Sequence, residues 1–181
     1  TLNAGTVEVL RGGLSLGATQ TIHGTFEAAA GTTLTFTEGG EFDAASEIDS
    51  AGNVSFRFGN YVIDGGYRAD GTTLVFASTA TFNGPIAEGT GQLGSLRLEN
   101  ANADFGASEL RVNHATLVNS NLYGTGDILV SGDLRFEDGA LVGEGTVTVE
   151  GTITCASGRV WLDGRRLVNE GDFYLLGTTS G

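Results

Sequence analysis

Apolar side chains return along this chain at a nearly constant interval. Leu98, Leu117, Phe136 and Cys155 stand nineteen residues apart, and so do Ala103, Leu122, Leu141 and Val160. Carried backwards, the first series reads Leu16, Phe36, Phe58, Phe76, Leu98, Leu117, Phe136, Cys155 and Leu175, at intervals of 18 to 22 residues. Two residues before each member is another apolar position: Leu14, Leu34, Phe56, Leu74, Leu96, Ala115, Leu134, Ile153 and Phe173. A spacing of two puts both members of a pair on one side of a strand. A second file follows in each repeat: Ile22, Phe42, Val62, Phe82, Ala103, Leu122, Leu141 and Val160. A third begins at Val7 and continues through Phe26, Ile48, Tyr67, Ile86, Leu110, Ile128, Val147 and Leu167.

Three short strands per repeat cannot each bury an apolar face alone. Stacked at about 4.8 Å, every strand pairs with the repeats above and below, and open edges remain only at the two ends. The pattern predicts an all-β, right-handed parallel β-helix (a β-solenoid) of 8–9 coils of 18–22 residues, with three strands per coil. A β-sandwich also shows short strands at regular spacing, but three aligned files over the whole chain favour the solenoid. The files run from Val7 to Leu175 and leave no room for end caps. Residues 1–181 are therefore read as a single solenoid segment cut from a longer protein, with flanking coils of that parent chain as neighbours.

Thirty glycines and one proline fit a fold of many tight corners. Gly24, Gly52, Gly71, Gly84, Gly106, Gly124, Gly143 and Gly164 fall between the files. Asn100, Asn119 and Asp138 occupy one corner position, and Asn102 and Asn121 another, so their side chains are expected to bond from coil to coil. Net charge is −13 and no lysine is present. So acidic a chain repels phosphate backbones and anionic lipid, which argues against nucleic-acid partners. No apolar run is long enough to span a bilayer, so membrane insertion is not expected.

The segment Asp133–Gly151, DLRFEDGALVGEGTVTVEG, and the following VWLDGRRLVNEGDFYL are similar to Gly-rich repeats of large secreted bacterial β-solenoid adhesins, filamentous-haemagglutinin-like or autotransporter-passenger-like. The residues that carry the likeness are Leu162–Arg165, Leu167, Asn169 and Gly171; it covers roughly 95–176. The resemblance implies a secreted or cell-surface stalk, adhesin or passenger segment. It transfers no catalytic residue.

Candidate chemistry is sparse. His23 and His114 lie in different coils, and Cys155 is on an inward position, where it reads as a small buried hydrophobe. No nucleophile elbow or phosphate loop occurs. No cofactor is expected, with one weak exception: Glu41, Asp43, Glu47 and Asp49 are outward carboxylates that could take Ca²⁺ or form an ordinary solvated face. Arg57, Arg97 and Arg135 project outward from the first file, the last two with Glu99 and Glu137 two residues on, as surface ion pairs. Exposed carboxylates on a convex face lack the paired cleft geometry of a polysaccharide lyase or hydrolase. Tyr123, Val142 and Trp161, again nineteen apart, form an outward stripe suited to a glycan or to a host or cell-surface protein. The leading expectation is a non-catalytic structural or adhesive segment; the alternative is a carbohydrate-binding module using that stripe, and a polysaccharide-active enzyme comes last.

Overall fold

The computed structural model describes residues 5–17, 21–87 and 92–176. Among them every regular element is a strand, and the ladders between successive coils are parallel. The strands stack as a β-solenoid of about nine turns. The first face carries two adjacent inward rows. One is Leu16, Phe36, Phe56, Val75, Leu98, Leu117, Phe136, Cys155 and Leu175. The other is Leu14, Leu34, Val54, Thr73, Leu96, Ala115, Leu134, Ile153 and Phe173.

Two coils of this face differ from the sequence reading. Phe56 holds the position expected for Phe58, and Val75 that expected for Phe76. Phe58 is 55% exposed. Leu74, expected inside, faces outward because Thr73 takes its place, with Thr73 Oγ1 2.7 Å from the hydroxyl of buried Tyr67. A buried phenol needs a polar partner, and Thr73 supplies one that leucine could not. Arg57 accordingly moves to the next outward row, where its guanidinium lies 5.2 Å from the Phe76 ring centre.

The second face also has two rows, which the single expected file mixed. Ile22, Phe42, Ile63 and Phe82 form one, with Ile63 in place of Val62. Tyr61, Ala80, Ala103, Leu122 and Leu141 form the other. Val160 packs on the core but pairs with Gly139, whereas Leu162 pairs with Leu141. The third face follows expectation: Val7, Phe26, Ile48, Tyr67 and Ile86 are in register, then Leu110, Ile128, Val147 and Leu167.

Aromatic rings fill the core of the N-terminal half. Phe36 and Phe42 meet edge to face at 4.8 Å, and Phe82 stacks on Phe105 at 4.5 Å. Full burial of such a ring stabilises by about 1.5–3 kcal/mol. Burial also holds the Tyr67 phenol above its ordinary value of 10.0, against a smaller lowering by the Thr73 hydrogen bond; burial raises Tyr61 as well. In the unfolded chain both ionise near pH 10. Stability is therefore intact below pH 10 and falls as pH rises above it, because only the unfolded chain readily gives up these protons. Alkaline titration is expected to show unfolding together with phenolate absorbance, and Tyr67→Phe to move that midpoint to higher pH. In a Tyr123→Phe/Tyr174→Phe background, which leaves Tyr61 and Tyr67 as the tyrosines, phenolate formation without loss of β circular dichroism would contradict this.

In several coils the first corner is made without a break in the strand, whereas at Glu38 and Asn100 the strand is interrupted. Glu38, Phe58, Ala77, Asn100, Asn119 and Asp138 each adopt a positive φ, between 47° and 85°. Such a residue kinks a strand sharply, and Asn and Asp tolerate it best. Strands Asn53–Ile63, Thr72–Phe82, Leu110–Tyr123 and Leu134–Val142 therefore pass unbroken from the first face to the second. At another corner glycine is required by space. A Cβ on Gly143 would lie 2.0 Å from the Gly124 carbonyl oxygen of the coil below.

Candidate functional site

The kinked corner creates a concave surface. Just beyond the kink an outward row runs along the axis: Asn60, Thr79, Asn102, Asn121, Ala140 and Trp161. The kink residues themselves form a parallel row, from Phe58 through Asn100 and Asn119 to Asp138. Between them the chain turns inward at small residues, Ser78, Ala101, Ser120 and Gly139. Ser120 Oγ accepts the Ala101 N–H at 3.1 Å and lies 2.6 Å from the Val118 carbonyl, so this floor is internally satisfied.

The result is a shallow polar groove. One depression of about 530 Å³ lies among Asn100, Asn102, Asn119, Asn121, Asp138 and Trp161. A second, of about 370 Å³, lies among Asn60, Ala77, Thr79, Asn100 and Asn102. They share Asn100 and Asn102 and are continuous. The asparagine members of the expected ladders are bonded, Asn119 Nδ2 donating to Asn100 Oδ1 at 3.3 Å and Asn121 Nδ2 to Asn102 Oδ1 at 3.0 Å, while Asp138 continues the first file by register alone. Each amide has two N–H groups and two oxygen lone pairs, so one ladder bond leaves capacity facing outward. Trp161 closes one end of the row and is 57% exposed.

The stripe expected from the sequence is only partly formed. Tyr123 and Val142 are in register, but Trp161 pairs with Ala140 instead of Val142. The cause is a pair of extra residues in its coil. Phe136 pairs nineteen residues on with Cys155, whereas Ala140 pairs twenty-one residues on with Trp161, across a register shift at Glu137 and Gly139. A shift of two preserves which side faces out, so Trp161 remains exposed but joins the asparagine row.

The weak Ca²⁺ candidates are not gathered. Glu41 is in strand Gly40–Phe42, and Glu47 and Asp49 are in Glu47–Ser50 on the next face. Asp43 lies against His23 Nδ1 of the preceding coil, and Asp49 accepts from Arg68 at 2.9 Å. Among the described residues no three His, Cys, Asp or Glu side chains form a group able to hold a metal. Arg97 and Arg135 pair with Glu99 and Glu137 as expected. His114 is exposed, and its Nδ1 accepts the Asp133 N–H at 3.1 Å. Cys155 is buried on the first face, where burial pushes its thiol up, away from the reactive thiolate. A concavity of about 890 Å³ holds Arg68 between Asp49 and Asp70.

One buried cation went unforeseen. Arg165, within the Leu162–Arg165 segment, is 6% exposed. Its fork donates to Gly124 O at 2.5 Å, Gly126 O at 2.9 Å and Val142 O at 3.3 Å, tying three coils at a glycine corner. Desolvation lowers its pKa, partly offset by Asp127 and Asp104. Its acceptors are all backbone carbonyls, which leave no signal in the sequence.

No protein-family model, curated protein or solved structure matches the chain.

Proposed function

We propose that this chain is a non-catalytic structural and presenting segment of a large secreted or cell-surface protein, a stalk, adhesin or passenger. The observation that carries this reading is the regularity of the solenoid. Inward positions are spent on an uninterrupted core, and outward charges are paired locally, as in Arg97–Glu99, Arg135–Glu137 and Arg111–Glu109. A glycosidase needs two carboxylates facing across a cleft. The concavity around Arg68 holds Glu47, Asp49 and Asp70, but Arg68 bridges the two aspartates, and the corner groove is lined by amides with one carboxylate, Asp138. The likeness of the C-terminal coils to secreted bacterial adhesin repeats points the same way.

Flanking coils are the proposed partners at the ends. Phe173 and Leu175 continue the core rows yet are 54% and 73% exposed, with Leu176 beside them. A further coil stacked there would bury these side chains and the open edge of the last strand.

Two measurements test the reading. Antibody against the chain is expected to label intact producing cells; labelling only after permeabilisation would overturn the surface assignment. Incubation with a polysaccharide panel is expected to release no new reducing ends or unsaturated sugars above blank, and sustained turnover would overturn the non-catalytic part.

A further inference from the structure

We infer that the kinked corner is a binding site for a neutral, extended oligosaccharide chain lying along the solenoid axis, with Trp161 stacking on a sugar ring and Asn100, Asn102, Asn119 and Asn121 bonding to hydroxyls. The inference rests on the presenting role proposed above and names the ligand class for it.

Three observations converge on this corner. The first is shape. The two depressions form one open groove from Asn60 to Trp161, five coil steps or about 24 Å at the usual strand spacing. A groove of that length and shallowness fits a polymer better than a compact metabolite, which would need enclosure. A pyranose unit and a coil are similar in length, so two successive sugars meet the Asn100/Asn102 and Asn119/Asn121 pairs.

The second is chemistry. Carboxamides donate and accept at once, as sugar hydroxyls do, and the ladder bonds hold the amides in fixed directions while leaving donors and acceptors unused. The amides are thus ordered before a ligand arrives, which reduces the entropy lost on binding. Trp161 supplies a flat π face to meet the C–H face of a pyranose, and its N–H gives a polar edge. More than half of its surface is exposed; Phe58, at the far end of the kink row, is 55% exposed and meets Phe76 edge to face at 5.6 Å, a second aromatic beside the groove.

The third is charge. Net charge is −13, Asp138 lines the groove, and the nearby Arg97 and Arg135 are already paired with Glu99 and Glu137. Uronate or sulfate chains would meet repulsion from this excess of negative charge, weakened at the two ends of the groove by Arg57 and Arg159. Neutral glycans carry no such cost.

Trp161 is the single tryptophan, so its emission reports on this site alone. The soluble chain would be titrated to millimolar concentrations with cellohexaose, maltohexaose, mannohexaose and chitohexaose, and with hexagalacturonate as the acidic counterpart. At least one neutral hexasaccharide is expected to give a saturable shift in emission, with its trisaccharide binding more weakly and hexagalacturonate giving none. By calorimetry, Trp161→Ala is expected to weaken binding at least tenfold and Asn121→Ala about three- to tenfold, with thermal melting of the exposed Trp161→Ala variant unchanged. No saturable response to any neutral hexasaccharide overturns the inference, as does binding that survives both substitutions, or preference for the acidic chain. Product release is scored in the same samples. Binding with turnover would leave the site standing and remove the non-catalytic reading; neither binding nor turnover would remove the site alone.

Discussion

Phe56→Ala is expected to lower the unfolding free energy by about 3–5 kcal/mol, the range for truncating a fully buried ring in a core unable to collapse around the gap. Phe56 is completely buried. Its ring lies 5.1 to 6.2 Å from those of Phe36, Phe42, Tyr61, Tyr67 and Phe82, so five aromatic neighbours lose a face at once. Collapse is resisted because each neighbour is fixed by its own ladder. Phe58→Ala should behave oppositely, changing stability by no more than about 1 kcal/mol. Its edge contact with Phe76 is worth about 0.5–1.5 kcal/mol, and the strain of a bulky residue at φ 56° is of similar size. Phe58→Gly relieves that strain further and is expected to be the more stable of the two variants. Urea unfolding of the three variants reads this directly. If Phe58→Ala proved the more damaging than Phe56→Ala, the register of this coil would be wrong.

Gly143→Ala is expected to cost about 3 kcal/mol or more, the larger end of single substitutions. A Cβ there would sit 2.0 Å from the Gly124 carbonyl oxygen, and φ is 115°, a region L side chains rarely enter. Backbone has to move, and the same carbonyls accept from Arg165, so the displacement would loosen the Gly124–Arg165 bond as well. Gly106→Ala, in the same corner file, isolates the strain. Its φ is 57°, yet nothing lies within 4 Å of the added methyl. A loss of about 1 kcal/mol is expected for it. Equal losses in the two variants would show that close approach between coils contributes nothing at this corner.

These two pairs mark where the sequence was and was not readable. The period itself was legible because each strand obeys the alternation of two, and the third face followed it throughout. In the run Val54-Ser55-Phe56-Arg57-Phe58 three apolar residues share one side of a strand that has only two inward places. A slip of two leaves alternation intact, and the kink that ejects Phe58 depends on backbone angles that apolar spacing does not encode. At Thr73 a buried hydroxyl pair outweighed the more apolar Leu74, a tertiary requirement set by Tyr67. Trp161 was read correctly as outward but placed beside the wrong neighbours, since two extra residues near Ser157–Arg159 shift its coil. The asparagine ladders were legible from spacing alone. The groove they line was not, because its concavity comes from the kink. Arg165 stayed hidden because its partners are backbone carbonyls, which carry no sequence signal.

The ladder spacing also sets how this chain reaches its native state. Paired residues lie roughly one coil apart, from eighteen residues at Leu110–Ile128 to twenty-three at Val75–Leu98, in a chain of 181. That is about one tenth of the chain length, a value typical of helical bundles and well below that of sandwiches or barrels. An all-β protein built this way closes only short loops as it forms. Its nucleus can arise in any pair of adjacent coils, with growth proceeding outward by one coil at a time. The aromatic-rich coils around Phe36 and Phe56 offer the deepest early burial, so assembly should start there and reach the exposed Phe173–Leu176 end last.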